Sequence, residues 1–256
     1  WLMYQSTLLN RLRCLLARNI LQFRGVSVKT PHLSCIVLFC MKGNKMYFFK
    51  ILNVDEIKTC TEKLKDYSAF SDGKKTQPDS SIKSNTESLN IPDEVRRIIT
   101  DKLYDTHFMD TVYCPNRVSV NFYNQYVKDD HYDIHVDEFK ARPKSNNTFF
   151  DYGFSVNLLD DYEGGEFILQ TPMGQIAKKL EAGEIALFPI IYSHGVGNVT
   201  DGKRVNIIGW MSTNISYEQS FILYNLFQIG QAAASDTTAF TKVNLVQNYL
   251  KKEWSK

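Results

Sequence analysis

The 256-residue chain predicts a mainly β fold with flanking helices, arranged as a double-sheet jelly roll. Three observations predict it. From Arg117 the apolar period becomes two, with Val118, Val120, Phe122 and Asn124 set against Ser119, Asn121 and Tyr123. Turn signals at Gly164-Gly165, Pro172-Met173-Gly174 and Asp201-Gly202 then cut the chain into short strands through about residue 215. On either side the apolar period returns to that of helices. With 43% apolar and 13% aromatic residues, the chain can fill one large core.

In chain order, Met46 to Leu52 reads as a short strand and leads into a helix capped by Asn53 or Asp55. Ile57, Cys60 or Thr61, Leu64 and Tyr67 form the apolar stripe of that helix. Residues 71–90 hold only Ile82 and Leu89 as large apolar side chains, so a mobile loop is expected there. Pro92 and Asp93 open a second helix through Val95, Ile98, Ile99, Leu103 and Tyr104. The jelly-roll core then spans about 115–215. The polar stretch Glu138 to Tyr152 reads as a rim loop, either closing over substrate or simply connecting two strands. The segment 217–256 is helical, with Phe221, Ile222, Leu226 and Phe227 followed by Phe240, Val243, Val246, Leu250 and Trp254. Packing on the barrel is the expectation for this stripe, and a homodimer contact is its alternative.

A net charge of +2 argues neither for nor against a particular partner, and without a compact basic block nucleic acid is not the expected one. Five cysteines without a C-x-x-C motif fit a reducing, cytoplasmic setting. The first 54 residues contain eight basic and no acidic residues. Leu8, Leu9, Leu12, Leu15 and Leu16 interleave there with Arg11, Arg13 and Arg18, in the manner of an organellar transit peptide. The competing expectation is an extension over 1–45, with the native start at Met41 or Met46. The apolar run Cys35 to Met41 is too short for a bilayer, so no membrane role is expected.

The chemistry is concentrated in His135-Val136-Asp137, His194 and Arg204. In an extended strand His135 and Asp137 project from one face, while Val136 points the other way. His194 follows the apolar strand Ala186-Leu187-Phe188-Pro189 and can supply a third ligand. Two imidazoles and a carboxylate on one face of a metal are the ligand set of non-haem iron(II) oxygenases. Arg204, ten residues after His194, opens the strand-like run Arg204-Val205-Asn206-Ile207-Ile208-Gly209-Trp210. An arginine entering a buried strand needs an anion, and its forked donors suit a carboxylate. A lone H-x-D carries little weight, and the chain has a second one in His131-Tyr132-Asp133.

The ordered motifs resemble the iron(II)- and 2-oxoglutarate-dependent dioxygenases, in the prolyl 4-hydroxylase-like branch and its PKHD-type hydroxylases. They are Tyr126-x-x-Asp129-x-x-Tyr132-x-x-His135-x-Asp137, Tyr162-Glu163-Gly164-Gly165-Glu166-Phe167, Leu180-x-Ala182-Gly183-Glu184-Ile185-Ala186-Leu187-Phe188-Pro189 and His194-Gly195-Val196-x-x-Val199-Thr200-x-Gly202-x-Arg204. The resemblance runs from about Met46 to the C-terminus, which favours a start near Met46 and one domain over 46–256. It implies a double-stranded β-helix of cupin-like form, with iron(II) on His135, Asp137 and His194. It also implies that Arg204 and Tyr126 hold the distal carboxylate of 2-oxoglutarate, that O2 is consumed, and that ascorbate is supportive. The tyrosine spacing selects His135 and Asp137 over the upstream pair. Two departures stand out. Asp129 occupies a position that is often glycine, and Phe154-Ser155-Val156-Asn157-Leu158-Leu159 lacks the second co-substrate tyrosine of some prolyl hydroxylases.

The expected reaction is hydroxylation of a C-H bond, of a prolyl residue in a peptide or protein, with release of succinate and CO2. A free amino acid or a siderophore-like small molecule is the alternative substrate. Two rival classes are a zinc hydrolase using His131, His135, Asp137 and His194, and a jelly roll that binds without turnover. Hydrolysis leaves Arg204 without a task, and a degenerate binding module would be expected to have lost a ligand or the arginine.

Overall fold

The computed structural model describes residues 47–65, 71–73, 82–88, 90–137 and 149–254. The expectations for 1–45, for Tyr67, and for most of the 138–152 rim loop lie outside these residues. Met46–Lys256 is one compact unit. In order it comprises β1 (Phe48–Lys50), α1 (Val54–Lys65), β2 (Ser71–Asp72), β3 (Thr86–Ser88), α2 (Asp93–Asp105) and α3 (His107–Val112). Ten strands follow: β4 (Pro115–Tyr126), β5 (Tyr132–His135), β6 (Tyr152–Asn157), β7 (Tyr162–Gly164), β8 (Phe167–Thr171), β9 (Gly174–Lys178), β10 (Glu184–Pro189), β11 (His194–Val196), β12 (Val199–Gly202) and β13 (Arg204–Thr213). Helices α4 (Tyr217–Ala232) and α5 (Thr237–Trp254) complete the unit.

The strands pair antiparallel in a major sheet ordered β1-β10-β6-β13-β4-β3-β2, a minor sheet ordered β5-β11-β8-β9, and the ribbon β12-β7. Residues paired across a sheet point to the same side, so the register sorts the major sheet into two faces. Tyr152, Phe154 and Val156 of β6 share one face with Val205, Ile207 and Met211 of β13. They form the main core with Val95, Ile99 and Leu103 of α2 and with Tyr224 of α4. Phe108 of α3 fastens this side, with edge-on contacts to Phe49 at 4.8 Å and Phe227 at 5.2 Å. The opposite, inner face carries Arg204, Asn206 and Trp210. Phe48 and Phe188 on that face meet Phe167 of the minor sheet at 6.2 and 5.3 Å.

The helix ends follow their local chemistry. Asn53 accepts from the Glu56 amide at 3.0 Å while Glu56 accepts from the Asn53 amide at 2.9 Å, a reciprocal cap that decides between Asn53 and Asp55. Ser216 and Gln219 make the same box at α4. α3 escapes sequence reading because six residues are too few to show a helical period.

Three expectations change. The alternation in β4 does not run unbroken: Phe122 pairs with Ile208 but Val120 pairs with Gly209, so Asn121 is an extra residue in a bulge. Val118 and Val120 therefore face the helices, while Phe122 and Asn124 face inward. Within 71–90 the described residues include ordered strands rather than a loop throughout, since β3 pairs with β4 and β2 extends β3. On α5, Val246 is 42% exposed rather than part of the buried stripe, although Leu250 and Trp254 do pack against Ile215 and Leu223.

Candidate metal and co-substrate site

His135 ends β5 and His194 begins β11, and these two residues are directly paired across the minor sheet. Asp137 lies two residues past His135, as the period of an extended chain requires. The three side chains form a group whose ligand atoms all lie within 4.8 Å of one another, which is a spacing that could hold a metal ion. Asp137 Oδ1 is 3.6 Å from His135 Nε2 and 3.8 Å from His194 Nε2. Each imidazole is turned by its own backbone. The Nδ1–H of His135 donates to the Asp133 carbonyl at 2.8 Å, and that of His194 to the Tyr192 carbonyl at 3.2 Å. That arrangement leaves both Nε2 lone pairs facing the carboxylate, the geometry of a metal-ready histidine pair.

Sequence reasoning missed two supports of this group. The Trp210 indole N–H donates to Asp137 Oδ2 at 2.8 Å, which leaves Oδ1 for the metal. Gly153 is the second. A Cβ there would lie 2.7 Å from the Phe188 ring and 3.5 Å from Asp137 Oδ2, so only glycine lets the carboxylate and the phenyl ring come this close. The only early signal of Trp210 was its place six residues after Arg204 in the same strand-like run.

Burial by itself would raise the Asp137 pKa. The neighbouring His135 and His194 rings and the Trp210 N–H outweigh it, and the group is held below the ordinary carboxylate value. Burial lowers His194 to about 4 against an opposing pull from Asp137. At neutral pH these two groups are therefore already in their ligating forms.

The second H-x-D pair stands apart. His131 Nδ1 lies 3.1 Å from the Ser84 hydroxyl, and its Nε2 is 3.8 Å from Asp133. Among the described residues neither joins the metal group.

Arg204 is fully buried. Its Nη1 reaches Asn206 Oδ1 at 3.4 Å and Tyr162 lies beside the guanidinium, while among the described residues neither Nε nor Nη2 has a hydrogen-bond partner. Tyr126 is its register partner on β4, with the guanidinium carbon 5.3 Å from the ring centroid. Next to it, Glu87, Asn124, Asn206 and Asn157 form one row across β3, β4, β13 and β6, all four buried. Ser155 holds Asn206 by accepting at 2.8 Å from its amide. Where the second co-substrate tyrosine was missed in the sequence, the strand thus presents Ser155 and Asn157. Its one tyrosine, Tyr152, belongs to the helix face.

Beside Asp137 opens a cavity of about 860 Å³, lined by Val136, Phe149, Phe150, Tyr152, Pro189 and Ile190 among others. Val136 is 46% exposed at this mouth, lining the same cavity as Asp137 rather than an opposite layer.

The sequence pattern of the 2OG-Fe(II) oxygenase superfamily matches residues 104–212, which include the metal group, Tyr126 and Arg204. Over those residues the chain is similar to that superfamily. A PKHD-type hydroxylase from Idiomarina loihiensis is 28% identical to this chain over 213 residues, covering 80% of this chain and 95% of the relative. Another, from Prochlorococcus marinus, is 29% identical over 187 residues, covering 69% and 82%. Among solved structures, a prolyl hydroxylase from Trichoplax adhaerens in complex with a hypoxia inducible factor peptide fragment aligns with a TM-score of 0.50. Its identity is 14%, over 70% of this chain and 89% of that one. The α-ketoglutarate-dependent epimerase SnoN from nogalamycin biosynthesis aligns equally well at 16% identity, over 64% and 76%. The two structures show a shared jelly-roll fold for proteins whose names describe different reactions. The matching superfamily is named for iron(II) and 2-oxoglutarate. The residues present fit both: two imidazoles and a carboxylate suit iron(II), and a buried guanidinium with two unpaired donors suits a carboxylate. No helix among the described residues is long and apolar enough to cross a membrane.

Proposed function

We propose that the oxygenase hydroxylates a prolyl residue in a peptide or protein, with iron(II) on His135, Asp137 and His194 and the distal carboxylate of 2-oxoglutarate on Arg204. The observation that carries the co-substrate assignment is the Arg204 guanidinium, a fully buried cation with two unpaired donors. Burying such a charge is costly unless an anion meets it, and a carboxylate accepts from both donors at once. Tyr126 covers the guanidinium from the neighbouring strand. When bound, the iron and 2-oxoglutarate supply an oxidant derived from O2 and release succinate and CO2. The chain's own part is to bind the co-substrate at Arg204, to hold Asp137 through Trp210, and to present an apolar cavity that keeps water from the reacting C-H bond.

The cavity favours a peptide over a free amino acid. Its described lining includes Asp137 and Asp151 but no lysine, arginine or histidine that could hold an α-carboxylate. A prolyl ring flanked by neutral peptide groups meets no such need. The PKHD-type hydroxylase names of the relatives and the prolyl hydroxylase among the structural likenesses support the same reading. A zinc hydrolase would leave the buried Arg204 without an anion. The test is succinate release with proline-containing peptides and with free amino acids, followed by mass spectrometry for the gain of one oxygen. Oxidation of a free amino acid in preference to every proline peptide would overturn the peptidyl assignment.

A further inference from the structure

Glu87 ends the buried polar row beside Arg204, and its partner Lys83 is not yet accounted for by the site described above. Lys83 and Glu87 are 4% and 1% exposed, and Lys83 Nζ donates to Glu87 Oε2 at 2.7 Å. Attraction within a buried ion pair only roughly repays the cost of desolvating it, so such a pair is weak evidence for stability and better read as fixing geometry. Its place in the chain supports that reading. Residues 82–84 run along the ligand strand: the Asp133 amide donates to the Ile82 carbonyl at 2.8 Å, the Ser84 amide donates to the His131 carbonyl at 3.1 Å, and Lys83 bridges Tyr132. Three residues later the same segment becomes β3 and pairs with β4 of the major sheet. The stretch 82–88 thus ties the edge strand that carries His135 to the sheet that carries Arg204 and Trp210.

From this tie Lys83 places its ammonium 4.9 Å from the centroid of the Tyr132 ring. The same ring stacks on the His135 imidazole, with centroids 3.8 Å apart and planes at 14°. We propose that Lys83, held by Glu87, is a positioning residue for His135, acting through Tyr132. The Nδ1–H bond to Asp133 sets the rotation of the imidazole in its own plane, and the stacked tyrosine sets its tilt. Tyr132 is half-buried against Tyr126, Val196 and Val199, and a cation against its ring face, itself locked by a carboxylate, adds to that packing in fixing the ring. The inference rests on His135 being a metal ligand. It adds that the metal affinity of the oxygenase depends on an ion pair on a different strand segment.

The test titrates the metal-free protein with Co(II) alone under anaerobic conditions, following both the dissociation constant and the visible ligand-field band. The variant Lys83→Met/Glu87→Gln removes both charges with little change in volume and strands neither. It is expected to bind Co(II) about tenfold more weakly, the low end for loss of a group that orients a ligand, and to shift the band. Tyr132→Leu should show the same loss and Tyr132→Phe should restore the affinity, because the ring rather than the hydroxyl makes the stack. Val156→Ala, on the helix face, should lower thermal stability without changing the constant. Wild-type affinity and band in either the double variant or Tyr132→Leu would overturn the proposal, as would an equal loss in Val156→Ala. If instead His135→Ala binds Co(II) as wild type does, the ligand assignment fails first and takes this inference with it. Should the double variant not fold, the Tyr132 pair decides alone.

Discussion

Strand β13 is buried on both faces, and its two faces are built to opposite rules. Toward the helices it turns Val205, Ile207 and Met211, which sit in the main hydrophobic cluster with no polar atom to satisfy. Toward the minor sheet it turns Arg204, Asn206 and Trp210, whose polar groups reach Asn206, Ser155 and Asp137 and still leave two guanidinium donors over. Burial therefore does not separate core from site in this molecule. What sets the inner face apart is a buried cation with donors that no described residue takes up, a charge that is costly to bury unless an anion meets it.

The comparison breaks most visibly at Arg204. Arg204→Leu should raise the KM for 2-oxoglutarate about a hundredfold or more, as expected when one partner of a buried charge pair is removed. The thermal midpoint of the metal-free protein should hold or rise, since an uncompensated buried cation has gone. Steady-state kinetics and a melting curve check both halves. A fall in midpoint with normal co-substrate saturation would make the inner face ordinary core.

The same strand supplies the converse at its next position but two. Ile207→Ala leaves a cavity on the helix face and should destabilise the protein by about 2–5 kcal/mol in urea unfolding, with the KM for 2-oxoglutarate unchanged. Together the two variants would separate stability from binding on a single strand.

The difference between the faces also explains what could be read from the sequence. The grouping of His135, Asp137 and His194 was legible because the first two obey the two-residue period, and His194 and Arg204 stand at recognisable strand starts. The β4 alternation was legible only up to Asn121. The bulge there is imposed by pairing with β13, and nothing local to Asn121 marks it. Residues 82–88 were misread because Ile82 is their only large apolar side chain, and so polar a stretch is the signal of a loop on a surface. Here the strand adds to the major sheet, and the buried Lys83 and Glu87 on this segment pair with each other inside the fold. Trp210 reads as a core aromatic, and its hydrogen bond to Asp137 exists only once the two sheets close on each other.

The site face also carries a pH dependence. Burial holds His194 neutral in the folded protein, with its pKa lowered to about 4 from 6.5. Between those values the unfolded chain binds a proton that the folded chain refuses. Stability is therefore fully present above pH 6.5 and is lost as pH falls toward 4, by at most about 3 kcal/mol. The lowered Asp137 carboxyl acts in the same direction at lower pH still. Urea unfolding of metal-free protein at pH 7 and pH 4.5 measures the slope. His194→Gln should flatten it, and an unchanged slope would place the acid sensitivity elsewhere.

Trp210 is where the two faces are compared at finest scale, because an indole can serve as packing or as a donor. Its ring meets Phe122 edge-on at 6.0 Å and Phe150 at 6.3 Å, contacts that phenylalanine would largely keep. Its N–H, bonded to Asp137 Oδ2, is what phenylalanine would remove. A hydrogen bond to a carboxylate contributes about 1.5–3 kcal/mol, and losing a group that orients a ligand weakens metal binding by about tenfold or somewhat more. Trp210→Phe is therefore expected to weaken Co(II) binding by about tenfold while changing the thermal midpoint of the metal-free protein little. Trp210→Ala removes both roles and should lower affinity and stability together. Equal affinity in Trp210→Phe and wild type would return Trp210 to the packing role that its neighbours across the strand perform. A loss confined to affinity would show that Asp137 is aimed from β13, across the gap between the sheets, rather than by its own strand.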